Sequence, residues 1–252
     1  MNARNTLLYE QDTLRKVTGE TVRPGGYELT QRAIAFCSLW ETAKILDVAC
    51  GTGASVQWLR EKQGFQVVGL DLSELMLLVG HQRCPDLPLV QGESRSLPIA
   101  SEQLDAILVE CSLSLMPDLA SVLGELNRVM CPSGYLIASD VFLRNPQAAG
   151  LLRSLPVECC LKGAKSQAEM LGILQSQGFE IVLWEDHSES LQHLTTQLIH
   201  EYGSMQEFWC KSMPGEIDHF ELQLAIARTK PGYYLLVARK IGTVSGETQS
   251  VA

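Results

Sequence analysis

The chain has 252 residues, 46% of them hydrophobic and 19% charged, with a formal net charge of −9. That composition supports one sizeable core with additions and excludes a disordered chain, while so acidic a balance argues against a nucleic-acid binder, which needs a basic face. Eight cysteines are too few for a disulfide scaffold, and neither a leader sequence nor an apolar run of about 18 residues is visible. The expectation is a single cytoplasmic domain over 1–252 with free thiols and no membrane partner.

In chain order, residues 1–30 are polar and end in the turn signal Arg23-Pro24-Gly25-Gly26; they read as an N-terminal lid segment. Thr30 is expected to cap a helix with Ala33, Ile34, Cys37 and Trp40 on its apolar side. Lys44 to Ala49 then reads as a buried strand and Ala54 to Glu61 as a helix. Gln66 to Asp71 is a second strand, and Ser73 caps a helix through Leu75, Met76 and Val79. A short strand follows at Pro88 to Gln91 and a stronger one at Leu104 to Val109. Leu119, Val122, Leu123, Leu126 and Val129 follow helical spacing between Asp118 and Met130. Cys131-Pro132-Ser133-Gly134 stops that helix before a fifth strand, Tyr135 to Ser139. Strands alternating with helices imply parallel pairing in a doubly wound sheet, with a core over 31–145.

The remaining residues carry more helix. A helical patch is expected near 147–155, and Ser166 with Glu169 forms a capping box for a helix ending at Gly178. Phe179 to Trp184 marks a sixth strand near 179–186, followed by one long helix from Ser188 to about Trp209 and then a second. The final strand, 232–240 after Pro231, is expected to pair antiparallel at the sheet edge. The helical segments over 146–231 read as a cover grafted onto this sheet, and the polar tail 242–252 as frayed.

The sharpest feature is the strand–turn–helix sequence from Ile45 to Ser55, with Gly51-Thr52-Gly53 at its turn. A dinucleotide fingerprint would need a third small residue where Val56 stands. Asp47 would also lie beside the pyrophosphate and oppose it, whereas it suits a cationic, phosphate-free ligand. S-adenosylmethionine, with a sulfonium and an ammonium, is such a ligand. Asp71 at the second strand end can accept from both ribose hydroxyls, which NAD would also require, so Asp71 alone does not discriminate. An NAD-dependent oxidoreductase and a non-catalytic S-adenosylmethionine-binding or partner-binding protein remain the rival readings.

ILDVACGTGAS, VVGLDLS, VQGESRSLPIASEQLDAILVE and RVMCPSGYLIASD resemble the successive motifs of class I S-adenosylmethionine-dependent methyltransferases. The resemblance is to the small-molecule branch that includes quinone-biosynthesis and arsenite methyltransferases, and it covers residues 23–145 and the final strand. It implies a Rossmann-like, seven-stranded, mostly parallel sheet with an antiparallel edge strand, and a small-molecule acceptor. By this resemblance Asp47, Gly51 and Gly53 surround the methionine moiety, with Ala49 and Cys50 in the same loop. Asp71 binds the ribose with Leu72 beside it, Met76 follows in the next helix, and Glu93 and Ser94 meet the adenine. Glu110 and Cys111 stand near the transferring methyl. Ala49 departs from the family's first glycine, Glu93 from its usual aspartate, and Ser133-Gly134 from its Pro-Gly-Gly turn.

Methyl transfer from a sulfonium is an in-line displacement that rests mainly on positioning, so no conspicuous triad is needed. The histidines His81, His187, His193, His200 and His219 show no metal-ligand spacing; His187 is the candidate for a pocket rim. Cys160 falls on a C-x-x-G-A stretch that resembles the arsenite branch, and Cys210 lies 50 residues on. These two thiols are the candidates for a soft acceptor such as trivalent arsenic, although that branch's further cysteine after the glycine loop is missing and free cysteine is commonly a small buried hydrophobe. The catalytic candidates are therefore Glu110, Cys111 and Cys160. Arg23 or Tyr27 could reach the donor carboxylate, and Tyr9, Trp184, Phe208 and Trp209 could line an acceptor pocket.

Overall fold

The computed structural model describes residues 6–154, 157–213 and 218–241. Among the described residues nine strands run in chain order as β1 (Thr6–Leu7), β2 (Lys44–Val48), β3 (Gln66–Asp71), β4 (Leu89–Gln91), β5 (Leu104–Glu110), β6 (Met130–Leu143), β7 (Val157–Glu158), β8 (Phe179–Asp186) and β9 (Pro231–Lys240). Seven of them form one sheet in the order β4-β3-β2-β5-β6-β9-β8. Pairing is parallel from β4 to β6, and β9 is antiparallel to both β6 and β8. The final strand is thus antiparallel as expected, but it lies one place inside the edge, which β8 takes.

The sheet is covered on both faces, so its central strands are apolar almost throughout. Successive residues point to opposite faces: Leu46, Ile107 and Leu136 join one buried cluster, and Ile45, Leu108 and Ile137 join the other. The helix Leu119–Val129 fills the first face with Leu119, Val122, Leu123, Leu126 and Val129. The helices Gly26–Cys37 and Ala54–Gln63 cover the second through Ala33, Ile34, Val56 and Leu59. A third cluster, built from Leu8, Leu194, Leu198, Phe208, Trp209 and Leu222, joins the N-terminal segment to the helices between β8 and β9.

Several boundaries differ from the pattern in the sequence. The helix that precedes β2 begins at Gly26, because Gly25 turns the chain at φ 74°. Thr30 is therefore inside that helix and caps nothing, and Trp40 lies beyond its end, exposed. The expected helix from Ser188 to Trp209 is two: Gly203, at φ 85°, ends Ser188–Tyr202, and the Ser204 hydroxyl caps Met205–Ser212. The fifth parallel strand extends to Leu143, since β9 pairs with it from Tyr135–Arg239 to Leu143–Pro231. The polar N-terminal segment also holds the unexpected helix Asp12–Thr18, and β1 pairs with β7. The Ser166–Glu169 capping box is present, on the helix Gln167–Ser176. The tail 242–252 lies outside the described residues.

Candidate active site

Strand order reverses between β2 and its neighbours β3 and β5, and the crevice beyond their carboxyl ends is where an open α/β sheet offers a ligand site. A cavity of about 400 Å³ occupies this position. Among the residues named from sequence, Asp47, Ala49, Cys50, Gly51, Asp71, Leu72, Glu93, Ser94, Glu110 and Cys111 line it.

The glycine turn after β2 carries three left-handed residues, Ala49 at φ 57°, Gly51 at 56° and Gly53 at 72°. Ala49 accepts roughly 1–2 kcal/mol of strain at a position where glycine would accept none. Three of the turn's N–H groups are spent inside the protein. Gly51 N–H donates to Asp71 Oδ2 at 2.7 Å, Gly53 N–H to the Cys50 carbonyl at 2.9 Å, and Cys50 N–H to the Leu70 carbonyl at 3.1 Å. A pyrophosphate cradle would turn such groups toward its ligand. Gly53 itself does not line the cavity: a Cβ there would come within 2.6 Å of Leu89 Cδ2, so its smallness serves packing. Met76 is likewise outside the lining, buried beneath the loop with its Cε facing Gly51. Both residues support the loop from behind.

Asp47 is buried at the cavity wall, and among the described residues none donates a hydrogen bond to its carboxylate. Burial, with Glu110 beside it, pushes its pKa well above the ordinary range, and Arg23 pulls the other way. Asp71 is also raised by burial, against the N–H groups of Ser73 and Gly51. Glu93, by contrast, is exposed and paired with Arg95.

Glu110 closes β5 and is held by three side chains. Arg23 Nη2 lies 2.9 Å from Oε2, the Ser55 hydroxyl donates to Oε2 at 2.7 Å, and the Thr30 hydroxyl donates to Oε1 at 2.7 Å. A carboxylate so fully engaged is an anchor, poorly suited to accept a proton in turnover. Arg23 lines the cavity and keeps a buried Nε with no partner among the described residues; the buried Ser112 Oγ is in the same condition. Tyr27 stacks on Trp58 instead, 5.8 Å between ring centroids, and lines neither cavity. Sequence reading missed Ser55 and Thr30. The signal available was a hydroxyl on an otherwise apolar helix face.

A second cavity of about 530 Å³ adjoins the first, and Cys111 and Val22 line both. Its wall is mostly apolar, including Leu8, Leu194, Leu198, Phe208 and Trp209. Tyr9 lies on the first cavity, and burial with nearby Asp71 pushes its pKa up to about 12. Trp184 stacks on Tyr234 at 4.4 Å as core packing. Cys160 lines the second cavity, but its thiol neighbour is Cys111. Cys210 is exposed on the outside of the helix Met205–Ser212 and lines neither cavity, so the expected pairing of Cys160 with Cys210 does not form. His187 bonds Glu185 at 2.9 Å and lines neither cavity; His193 and His200 are exposed, and the His219 side chain lies outside the described residues.

Residues 46–138 match the family model described as a methyltransferase domain. The demethylmenaquinone methyltransferase of Renibacterium salmoninarum is 34% identical over 119 residues, 45% of this chain and 50% of that protein. Its counterpart from Streptomyces griseus is 28% identical over 192 residues, 68% of this chain and 83% of that one. The chain spans about half the length of the first curated relatives it matches. Among solved structures, Haemonchus contortus phosphoethanolamine N-methyltransferase 2 in complex with S-adenosyl-L-methionine superposes with a TM-score of 0.68. It is 14% identical, with 92% of this chain and 56% of that chain covered. The chain therefore shares the Rossmann-like methyltransferase fold and resembles the class I enzymes of quinone biosynthesis.

Proposed function

We propose that this chain is a cytoplasmic, S-adenosylmethionine-dependent methyltransferase whose acceptor is a small, largely apolar molecule. The observation that carries the reading is the pair of adjoining cavities, one lined by acids and one apolar, with Cys111 and Val22 on the wall of both. The match over residues 46–138 supports the same reading. Against a dinucleotide stand the committed N–H groups of the glycine turn and the buried Asp47. Among the described residues no helix is long and apolar enough to cross a membrane.

The residues present fit the donor. Asp47 offers a buried carboxylate, suited to an ammonium, and Arg23 Nε, unpartnered among the described residues, is suited to a carboxylate. Asp71 keeps lone pairs for ribose hydroxyls, and Ser94, with Glu93 beside it, borders the adenine end. When bound, S-adenosylmethionine supplies a methyl group on a sulfonium whose leaving group is a neutral thioether. The protein's task is then to hold the acceptor in line at the Cys111 boundary and to exclude water. Residues 6–30 and the helices between β6 and β9 bound the second cavity and act as its cover, over the single domain read from sequence.

The test is turnover with methyl-labelled donor across apolar quinols, phenols and thiols, beside calorimetric binding of S-adenosylmethionine and NAD. Donor binding with label transfer supports the reading. Binding of NAD without S-adenosylmethionine refutes it, and donor binding with no transfer to any acceptor favours a binding protein.

A further inference from the structure

We propose that the thiols of Cys111 and Cys160 and the carboxylate of Asp140 form a site for a thiophilic divalent cation of the zinc or cadmium type, open to the apolar cavity. One ligand atom from each of these residues lies within 4.8 Å of the others. Around a tetrahedral zinc with Zn–S near 2.3 Å, two thiolates sit about 3.8 Å apart, so the group closes on an ion by small side-chain rotations.

Three separate pieces of backbone fix the ligands. Cys111 follows the end of β5, and its N–H donates to the Ser139 carbonyl at 2.6 Å, on the neighbouring strand that carries Asp140. Cys160 opens the short helix Cys160–Gly163, which presses on the turn Leu113–Leu115 so closely that a Cβ on Gly163 would lie 1.9 Å from the Ser114 carbonyl oxygen. Asp140 is oriented by the same turn. Ser114 N–H donates to its Oδ2 at 2.8 Å, while the Ser114 hydroxyl and Val141 N–H donate to Oδ1 at 3.0 and 2.7 Å. Leu113 N–H also donates to this carboxylate, and outer hydrogen bonds of this kind hold ligating carboxylates in place.

The donor set decides the class of ion. Two sulfurs and one oxygen suit a soft or borderline cation and disfavour magnesium or calcium. The groups that bear most strongly on Cys160 are Cys111, Asp140 and Cys159, none of which carries positive charge. Cys111 and Cys160 both border the apolar cavity, so a fourth position faces open space, as in zinc sites that keep a place for water or substrate. Binding releases both thiol protons to solvent and changes no oxidation state. The proposal does not depend on methyl transfer, because its readout is metal bound to the chain.

The experiment titrates reduced, chelator-stripped full-length protein with Cd²⁺, following thiolate-to-metal charge-transfer absorption and heat. The expected result is one equivalent bound, affinity weaker by at least about tenfold in both Cys111→Ser and Cys160→Ser, and no change in Cys210→Ser. Wild-type binding by the first two variants, or loss of binding in Cys210→Ser, overturns the proposal. Should either variant fail to fold by circular dichroism, Zn²⁺ protection of wild-type protein against maleimide decides, with sites mapped by mass spectrometry. Protection of both Cys111 and Cys160 supports the site, and labelling of both in the presence of Zn²⁺ overturns it.

Discussion

Arg23 Nη2 sits 2.9 Å from Glu110 Oε2 with only 5% and 6% of the two side chains exposed, which ties the N-terminal segment to the end of the central strand β5. Removing one partner of a buried pair leaves a charge without compensation. Arg23→Ala is expected to cost about 3–5 kcal/mol in urea unfolding, and Arg23→Ala with Glu110→Gln clearly less. Equal losses in the single and double variants would show that the ion pair is not what holds this contact.

Asp47 ties donor binding to pH. Burial and Glu110 raise its pKa in the free protein, and a bound cation favours its ionised form. Below that raised pKa, binding must expel a proton, so donor affinity is expected to fall about tenfold per pH unit there and to level off above it. Asp47→Asn is expected to bind roughly 10–100-fold more weakly at neutral pH and to lose the slope. Calorimetry in buffers of different ionisation enthalpy measures the proton release directly.

Gly53 and Gly64 separate packing from backbone strain. Both have positive φ, at 72° and 74°, but an added methyl at Gly53 would strike Leu89 and Leu87, while at Gly64 it meets nothing within 4 Å. Gly64→Ala is expected to cost about 1–2 kcal/mol, and Gly53→Ala a further 1–3 kcal/mol for the overpacking. Matching denaturation midpoints for the two would contradict the packing role assigned to Gly53.

The second cavity is testable by filling it. Thr195 lines it and is only partly buried, so Thr195→Trp adds bulk with little damage to the core. Acceptor turnover is expected to fall at least about tenfold while donor affinity stays within about twofold. A parallel loss of donor binding would mean that the two cavities are not separate subsites.

Most of the sheet was legible because β2, β3 and β5 are short apolar runs with an acid at or one residue before the end, and those acids line the crevice. The hydroxyls of Thr30 and Ser55 were not legible. Each sits in a helix where local pattern gives a hydroxyl no long-range purpose, and their common partner Glu110 is 80 and 55 residues away. The Cys111–Cys160 proximity was hidden for the same reason: it depends on how the turn Leu113–Leu115 receives the helix that begins at Cys160. The resemblance to the arsenite branch pointed instead to Cys210, which faces solvent. Gly53 and Met76 show a related limit, since a motif residue can serve its loop from behind without touching the cavity.

The position of β9 between β6 and β8 sets an order on biosynthesis. A ribosome releases residues 179–186 long before residues 231–240, and until the latter emerge β8 has no sheet neighbour and β6 is open along one side. A nascent chain halted near residue 230 therefore presents two unpaired strand margins at once, a state that invites pairing with other chains. The last ten described strand residues act as the latch of the whole sheet, and a premature stop before them is expected to yield aggregate, even though every residue of the glycine turn has already been made.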